Sequence, residues 1–250
     1  MSKYGPKYGI LIENDDVYGK IFRMIEPGSR ILEFGPASGY ITEVLANHFG
    51  CEVYIVELFE DDFEKAMEFA KDGLCGDLEK YDWLSKWQDM KFDSIIFADV
   101  LEHLYDPWKA LAESKALLKE SGSVFISLPN IMHRDVMTLM YQNRFPYVKL
   151  GLLDETHIRF FGHADLKSMA EDAGFTIVSE DGVVLEETEL HTLASEGIQP
   201  PKKWLSGHEY ANIYQFVLKL QHTEYVLENN IAIESKMAAS KPKRLFQTSR

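Results

Sequence analysis

Between residue 30 and about residue 180, short apolar runs alternate with longer stretches whose apolar positions recur every three or four residues. The runs at 30–34, 52–57, 94–98 and 123–128 are rich in Ile, Val, Phe and Tyr and are bounded by Gly, Asp or Pro, so they predict strands. The stretches at 14–25, 40–49, 61–71, 107–119 and 164–173 predict helices. Local punctuation agrees: Asp106 suits an N-cap with Pro107 in the first turn, Pro27-Gly28 closes the first helix, and Gly174 closes the last before a strand near 175–179. A short run before Gly76 supplies another strand, and 211–220 reads as the final one. Strands alternating with helices predict an α/β fold built on a doubly wound, mostly parallel, seven-stranded sheet.

Two regions interrupt the alternation. Residues 130–161 are rich in aromatic, Met and basic residues, and 181–210 are polar, proline-containing and irregular. Long loops in a compact domain are commonly functional, so both are candidate lid segments. The expected organisation is one domain over 1–220, with its core at 14–180, and a C-terminal extension over 221–250. No internal repeat is present.

Composition narrows the possibilities. A chain of 250 residues with 46% hydrophobic content can bury one sizeable core. No run approaches the roughly 20 apolar residues of a membrane span, and the N-terminus lacks the apolar centre of a signal peptide, which predicts a cytoplasmic protein. Cys51 and Cys75 are too few and too separated for a metal knuckle and are expected to be buried thiols. The formal charge of -14 opposes a nucleic-acid partner, whose phosphates need Lys and Arg. Against that trend, residues 236–250 carry Lys236, Lys241, Lys243, Arg244 and Arg250 with no acid, which reads as a solvated tail, with a docking segment for an anionic partner as the alternative.

The candidate chemistry starts at the loop after the first strand. In an open parallel sheet, ligands bind beyond the carboxyl ends of the strands, where the strand order reverses. In Ile31-Leu32-Glu33-Phe34-Gly35-Pro36-Ala37-Ser38-Gly39, two glycines permit a tight turn and a close ligand, and the next helix points its first amides at that turn. Glu33 can accept a hydrogen bond or balance a cation. Glu57 ends the second strand, where a carboxylate can chelate two ribose hydroxyls, with an acidic helix cap as the structural alternative. Asp77, after Gly76, can accept from an adenine amino group or cap an ordinary turn.

These residues, taken with Phe92-Asp93-Ser94-Ile95-Ile96-Phe97-Ala98-Asp99-Val100-Leu101-Glu102-His103-Leu104-Tyr105-Asp106-Pro107, resemble class I S-adenosylmethionine-dependent methyltransferases over roughly residues 14–180. The resemblance implies a Rossmann-like methyltransferase fold, S-adenosylmethionine as cofactor, and Glu33, Gly35, Ala37, Gly39, Glu57, Asp77 and Asp99 as its binding residues. Ala37 stands where the family usually has a third glycine, and Pro36 where it has a small residue. A narrower likeness, in Ser127-Leu128-Pro129-Asn130 and in residues 151–161, is to bacterial methyltransferases associated with glycan and secondary-metabolite clusters, which implies a small or sugar-like acceptor.

A sulfonium methyl is already activated, so the protein must align a nucleophile and exclude water. A hydroxyl acceptor needs a base, for which His157, His103 and His133 are candidates. His157 leads, since Asp154 and Glu155 are near enough in sequence to orient it. Arg159 can pair with a phosphate or carboxylate on the acceptor, or clamp the lid to Asp154 or Glu155. Tyr141, Phe145, Tyr147, Phe160 and Phe161 can line an acceptor pocket or simply fill core. No ligand cluster is visible that demands a metal. The expected activity is methyl transfer to oxygen. The alternatives are transfer to an amine or amino sugar, and a binding module or subunit that keeps the pocket without chemistry. A nicotinamide dehydrogenase is disfavoured by the glycine spacing and Asp77. A homodimer is compatible with the sequence.

Overall fold

The computed structural model describes residues 13–185, 187–206 and 209–240. The expectations for the N-terminal dozen residues and for Lys241, Lys243, Arg244 and Arg250 fall outside that set. In chain order the elements are α1 (Val17–Phe22), β1 (Arg30–Phe34), α2 (Tyr40–Phe49), β2 (Glu52–Glu57), α3 (Glu60–Ala66), β3 (Asp72–Cys75), α4 (Asp82–Lys86), β4 (Phe92–Ala98), α5 (Pro107–Ser114), β5 (Leu118–Pro129), α6 (Arg134–Tyr141), α7 (His163–Asp172), β6 (Phe175–Val184), α8 (His191–Ser195), α9 (Lys202–Ser206), β7 (Ile213–His222) and α10 (Thr223–Ser240).

The strands form one seven-stranded sheet in the order β3-β2-β1-β4-β5-β7-β6. All are parallel except β7, which runs antiparallel to β5 and to β6. This is the α/β, doubly wound sheet that the alternation predicts. Strand order reverses about β1, with β2 on one side and β4 on the other, so a crevice opens at the carboxyl ends of β1 and β4.

The two-residue period of the strands sorts side chains to the two faces. Leu32, Phe34, Ile95, Phe97 and Val124 join one buried cluster with Trp83 and Leu111, while Ile31, Val53, Ile55, Ile96 and Phe125 join another with Ile21, Phe22 and Leu45. Each fully buried aliphatic side chain of this kind contributes about 1.5–3 kcal/mol. The same alternation turns Glu33 toward the face covered by α2. Val136, Leu139, Leu152, Leu153, Leu190 and Ala194 form a third cluster, so the two interrupting segments pack on one another.

Several boundaries differ from the sequence expectation. The helix expected over 107–119 ends at Ser114, and β5 begins five residues earlier than expected, at Leu118. Residues 115–120 have a helical composition, but Leu118 is drawn into pairing with Phe92 and into the core, and the register shifts before Ser94 meets Ser123. The first helix shortens to Val17–Phe22, capped by Asp16. The strand after Gly174 runs to Val184, because β7 offers it a partner along that length. Cys51 is buried as expected, whereas Cys75, expected to be buried too, is exposed at the end of the edge strand β3, where none of the described residues covers it.

Candidate active site

The loop after β1 carries three left-handed residues, Gly35 (φ 62°), Ala37 (φ 50°) and Gly39 (φ 82°). This backbone suits glycine; at Ala37 the methyl group costs about 1–2 kcal/mol. The glycines also make room for protein. A Cβ on Gly39 would lie 2.5 Å from the Ala66 Cα, and one on Gly35 would lie 2.8 Å from a Val100 methyl. Glycine here therefore lets α3 and the end of β4 close on the loop, beyond the ligand approach that the sequence suggests.

Glu57 is buried and ties that loop to the one after β2. Its Oε2 accepts from the Ala37 N–H at 2.9 Å and its Oε1 from the Phe59 N–H at 3.0 Å. Each oxygen keeps a second lone pair, which is what chelating two ribose hydroxyls requires. Asp77 caps the turn Leu78–Lys80 by accepting from the Glu79 N–H, the local role that the sequence held open for it. The Glu79 carboxylate in turn accepts from the N–H groups of Tyr105 and Asp106, joining the loops after β3 and β4.

Glu33 is 1% exposed; its Oε2 accepts from the Thr42 hydroxyl at 2.7 Å, and its Oε1 has no hydrogen-bond partner among the described residues. Burial pushes its carboxyl up to about 8, against the Thr42 bond and with help from Glu57. Asp99 has a left-handed backbone (φ 57°) and accepts from the Ser127 hydroxyl and the Gln215 amide. Burial holds its carboxyl above the ordinary range despite those two bonds. Tyr18 of α1 lies against this corner: burial first, then Asp99, raises its hydroxyl pKa.

On the other side of Asp99, the turn Leu101–His103 meets the segment that carries His157. The Glu102 carbonyl accepts from the N–H groups of Ile158 at 2.9 Å and Arg159 at 3.0 Å. This brings together two of the histidines named from sequence: the His103 and His157 rings sit edge to face, 4.9 Å apart. Glu102 faces them, with His157 Nε2 3.9 Å from its Oε1. Burial, then the nearby Asp99, raises the Glu102 carboxyl well above the usual range. Sequence reasoning assigned Glu102 no role, although it adjoins His103.

Other candidates stand apart. His133 is fully buried and caps α6, accepting from the Asp135 N–H and bonding the Leu185 carbonyl, and burial lowers its pKa, so both ring nitrogens are engaged in structure and away from the two histidines at Glu102. The Arg159 guanidinium donates to the Tyr105 and Ile158 carbonyls, and Glu155 pairs with Lys149, so the clamp that the sequence suggested runs to backbone. Asp154 accepts from the N–H and the hydroxyl of Thr156. Asn130 donates its amide to the carbonyls of Tyr210 and Ile213. Phe161 is core, Phe160 packs against the third cluster, and Tyr141, Phe145 and Tyr147 are exposed.

The methyltransferase-domain family matches residues 13–180. Among curated relatives, the ubiquinone biosynthesis O-methyltransferase of Coxiella burnetii is 25% identical over 162 residues, covering 62% of this chain and 67% of the relative. The same-named protein of Paraburkholderia phymatum is 27% identical over 162 residues, covering 62% and 68%. The fold is shared with a methyltransferase from Archaeoglobus fulgidus, at a TM-score of 0.58 and 19% identity over 82% of this chain and 92% of that one. A possible histamine N-methyltransferase from Thermotoga maritima shares it at a TM-score of 0.54 and 18% identity, over 82% and 87%. The family match takes in β1 to β5 together with the crevice they form, and the chain therefore belongs to the methyltransferase-domain family as an S-adenosylmethionine-dependent methyltransferase.

Proposed function

We propose that the enzyme transfers the methyl group to a hydroxyl oxygen of a small-molecule or sugar-like acceptor. The reading rests on one observation: a buried Glu102 carboxylate and the imidazoles of His103 and His157 converge beside Asp99, at the carboxyl end of β4. A hydroxyl must lose its proton before or during attack, and such a group can receive it; an amine that arrives neutral needs no base. The O-methyltransferase names of the 25–27% identical relatives support the same side.

The residues present fit the methyl donor. When bound, S-adenosylmethionine supplies a methyl already activated on a sulfonium. Glu57 would hold the ribose edge with the lone pairs its two backbone bonds leave over, Asp77 would serve the adenine side, and Glu33, with one buried oxygen unpaired among the described residues, would balance a cation. Glu79 and the 154–159 segment, held to Glu102 by two backbone bonds, keep the acceptor side in place and exclude water.

Calorimetry with S-adenosylhomocysteine tests the donor site. Glu57→Ala should weaken binding about 100-fold, the equivalent of one to two charge-assisted hydrogen bonds. Incubation with methyl-labelled cofactor and separate pools of phenols, sugars and amines tests the acceptor. Label in methyl ethers is expected. No heat with the folded protein would sink the donor site, and label found on nitrogen alone would replace oxygen by the amine alternative.

A further inference from the structure

Glu102, His103 and His157 each present one donor atom, and the three atoms lie within 4.8 Å of one another. Glu102 is 1% exposed, and neither of its carboxylate oxygens has a hydrogen-bond partner among the described residues. Leaving a buried carboxylate so is costly. His157 Nε2, at 3.9 Å, is beyond hydrogen-bond reach, and no lysine or arginine forms an ion pair with Glu102 among the described residues. Asp99 and Asp154 add negative charge beside it. The corner is acidic, enclosed and short of positive charge.

His103 is presented as a ligand would be. Its Nδ1 lies 3.2 Å from the Thr156 carbonyl, which can only accept, so Nδ1 carries a proton and, in the neutral ring, Nε2 carries the lone pair. A second ring nitrogen bonded to a backbone carbonyl is the usual support of a metal-bound imidazole. The two backbone bonds to the Glu102 carbonyl hold both chain segments in register before any ligand arrives.

We propose that Glu102, His103 and His157 form a binding site for a divalent transition-metal ion. Two imidazoles and one carboxylate suit Mn²⁺, Fe²⁺, Co²⁺ or Zn²⁺ better than Mg²⁺ or Ca²⁺, and three protein donors leave positions open for water and an acceptor oxygen. This departs from the sequence expectation of no metal, because His157 is far from Glu102 along the chain. The ion's role rests on the methyl-transfer reading, whereas its binding does not. With the three side chains engaged as ligands they act through the ion and not as the base: beside a divalent ion an acceptor hydroxyl gives its proton to water more readily. Its oxygen then forms the new C–O bond while the C–S bond breaks, and the electron pair stays on sulfur, leaving a neutral thioether.

The test uses untagged, full-length protein stripped with a chelator. Mn²⁺ is followed by electron paramagnetic resonance and Zn²⁺ by calorimetry. One ion per chain is expected, with a rise in Tm. Glu102→Gln and His157→Ala should each weaken binding at least tenfold, with far-ultraviolet circular dichroism and S-adenosylhomocysteine binding unchanged. If either variant fails to fold, His103→Asn, at a half-buried position, carries the same expectation. A parent protein that binds S-adenosylhomocysteine but takes up neither ion at one per chain overturns the metal site and leaves methyl transfer standing. Variants with parental affinity overturn it too. Uptake of the ion without any binding of S-adenosylhomocysteine would instead overturn the donor-site reading.

Discussion

Glu33, the last residue but one of the first strand, has one carboxyl oxygen on Thr42 and the other unpaired among the described residues, and its carboxyl is pushed up to about 8 by burial. A carboxyl raised in the folded state contributes stability that is present below its unfolded value of about 4.5 and is lost as the pH rises through about 8. Glu33→Gln keeps an acceptor for Thr42 without the titration. In the cofactor-free protein, the Tm of Glu33→Gln minus that of the parent should therefore grow between pH 5 and pH 8, as read by thermal melts. A difference that stays constant across that range would show that Glu33 is ionised throughout. The chain pattern marks Glu33 as the end of a strand; only the packing of α2 shows that it is enclosed.

The first loop shows how an element can be readable while its reason is not. Glycine at 35 and 39 reads from sequence as space for a ligand, yet Gly39 is hemmed in by the α3 backbone and Gly35 by the Val100 side chain. Gly39→Ala must move a helix, at about 1–3 kcal/mol for overpacking and about 1–2 kcal/mol for the left-handed backbone. It should lower Tm by roughly 10 °C for a chain of this size. Gly50→Ala meets the same left-handed cost (φ 64°) in open space and should lose no more than about 5 °C. Equal losses in calorimetric melts would mean that the α3 contact is not what requires glycine. Helix and strand identities were readable because each periodicity is strong. The α5 to β5 boundary was not, since residues 115–120 satisfy a helix locally and the core claims Leu118 for the sheet.

At the scale of the molecule, β7 is the piece on which the far half of the sheet depends. Among the described residues it is the sole strand neighbour of β6, and it places Phe216, Leu218 and Leu220 in the core and Gln215 on Asp99. A chain ending after residue 210 should lose cooperative unfolding in thermal melts, while one ending after residue 240 keeps it. Cooperative melting of the shorter chain would show that β1 to β5 stand alone. The sequence by itself determined the α/β class, the glycine turn after the first strand with Glu33 and Glu57 near the ends of their strands, and the family, because these reside in local periodicity and in residues close together along the chain. Tertiary structure alone decided the antiparallel place of β7, the burial of His133, and the meeting of Glu102 and His103 with His157. Those depend on contacts between distant segments, whose partners no local pattern names.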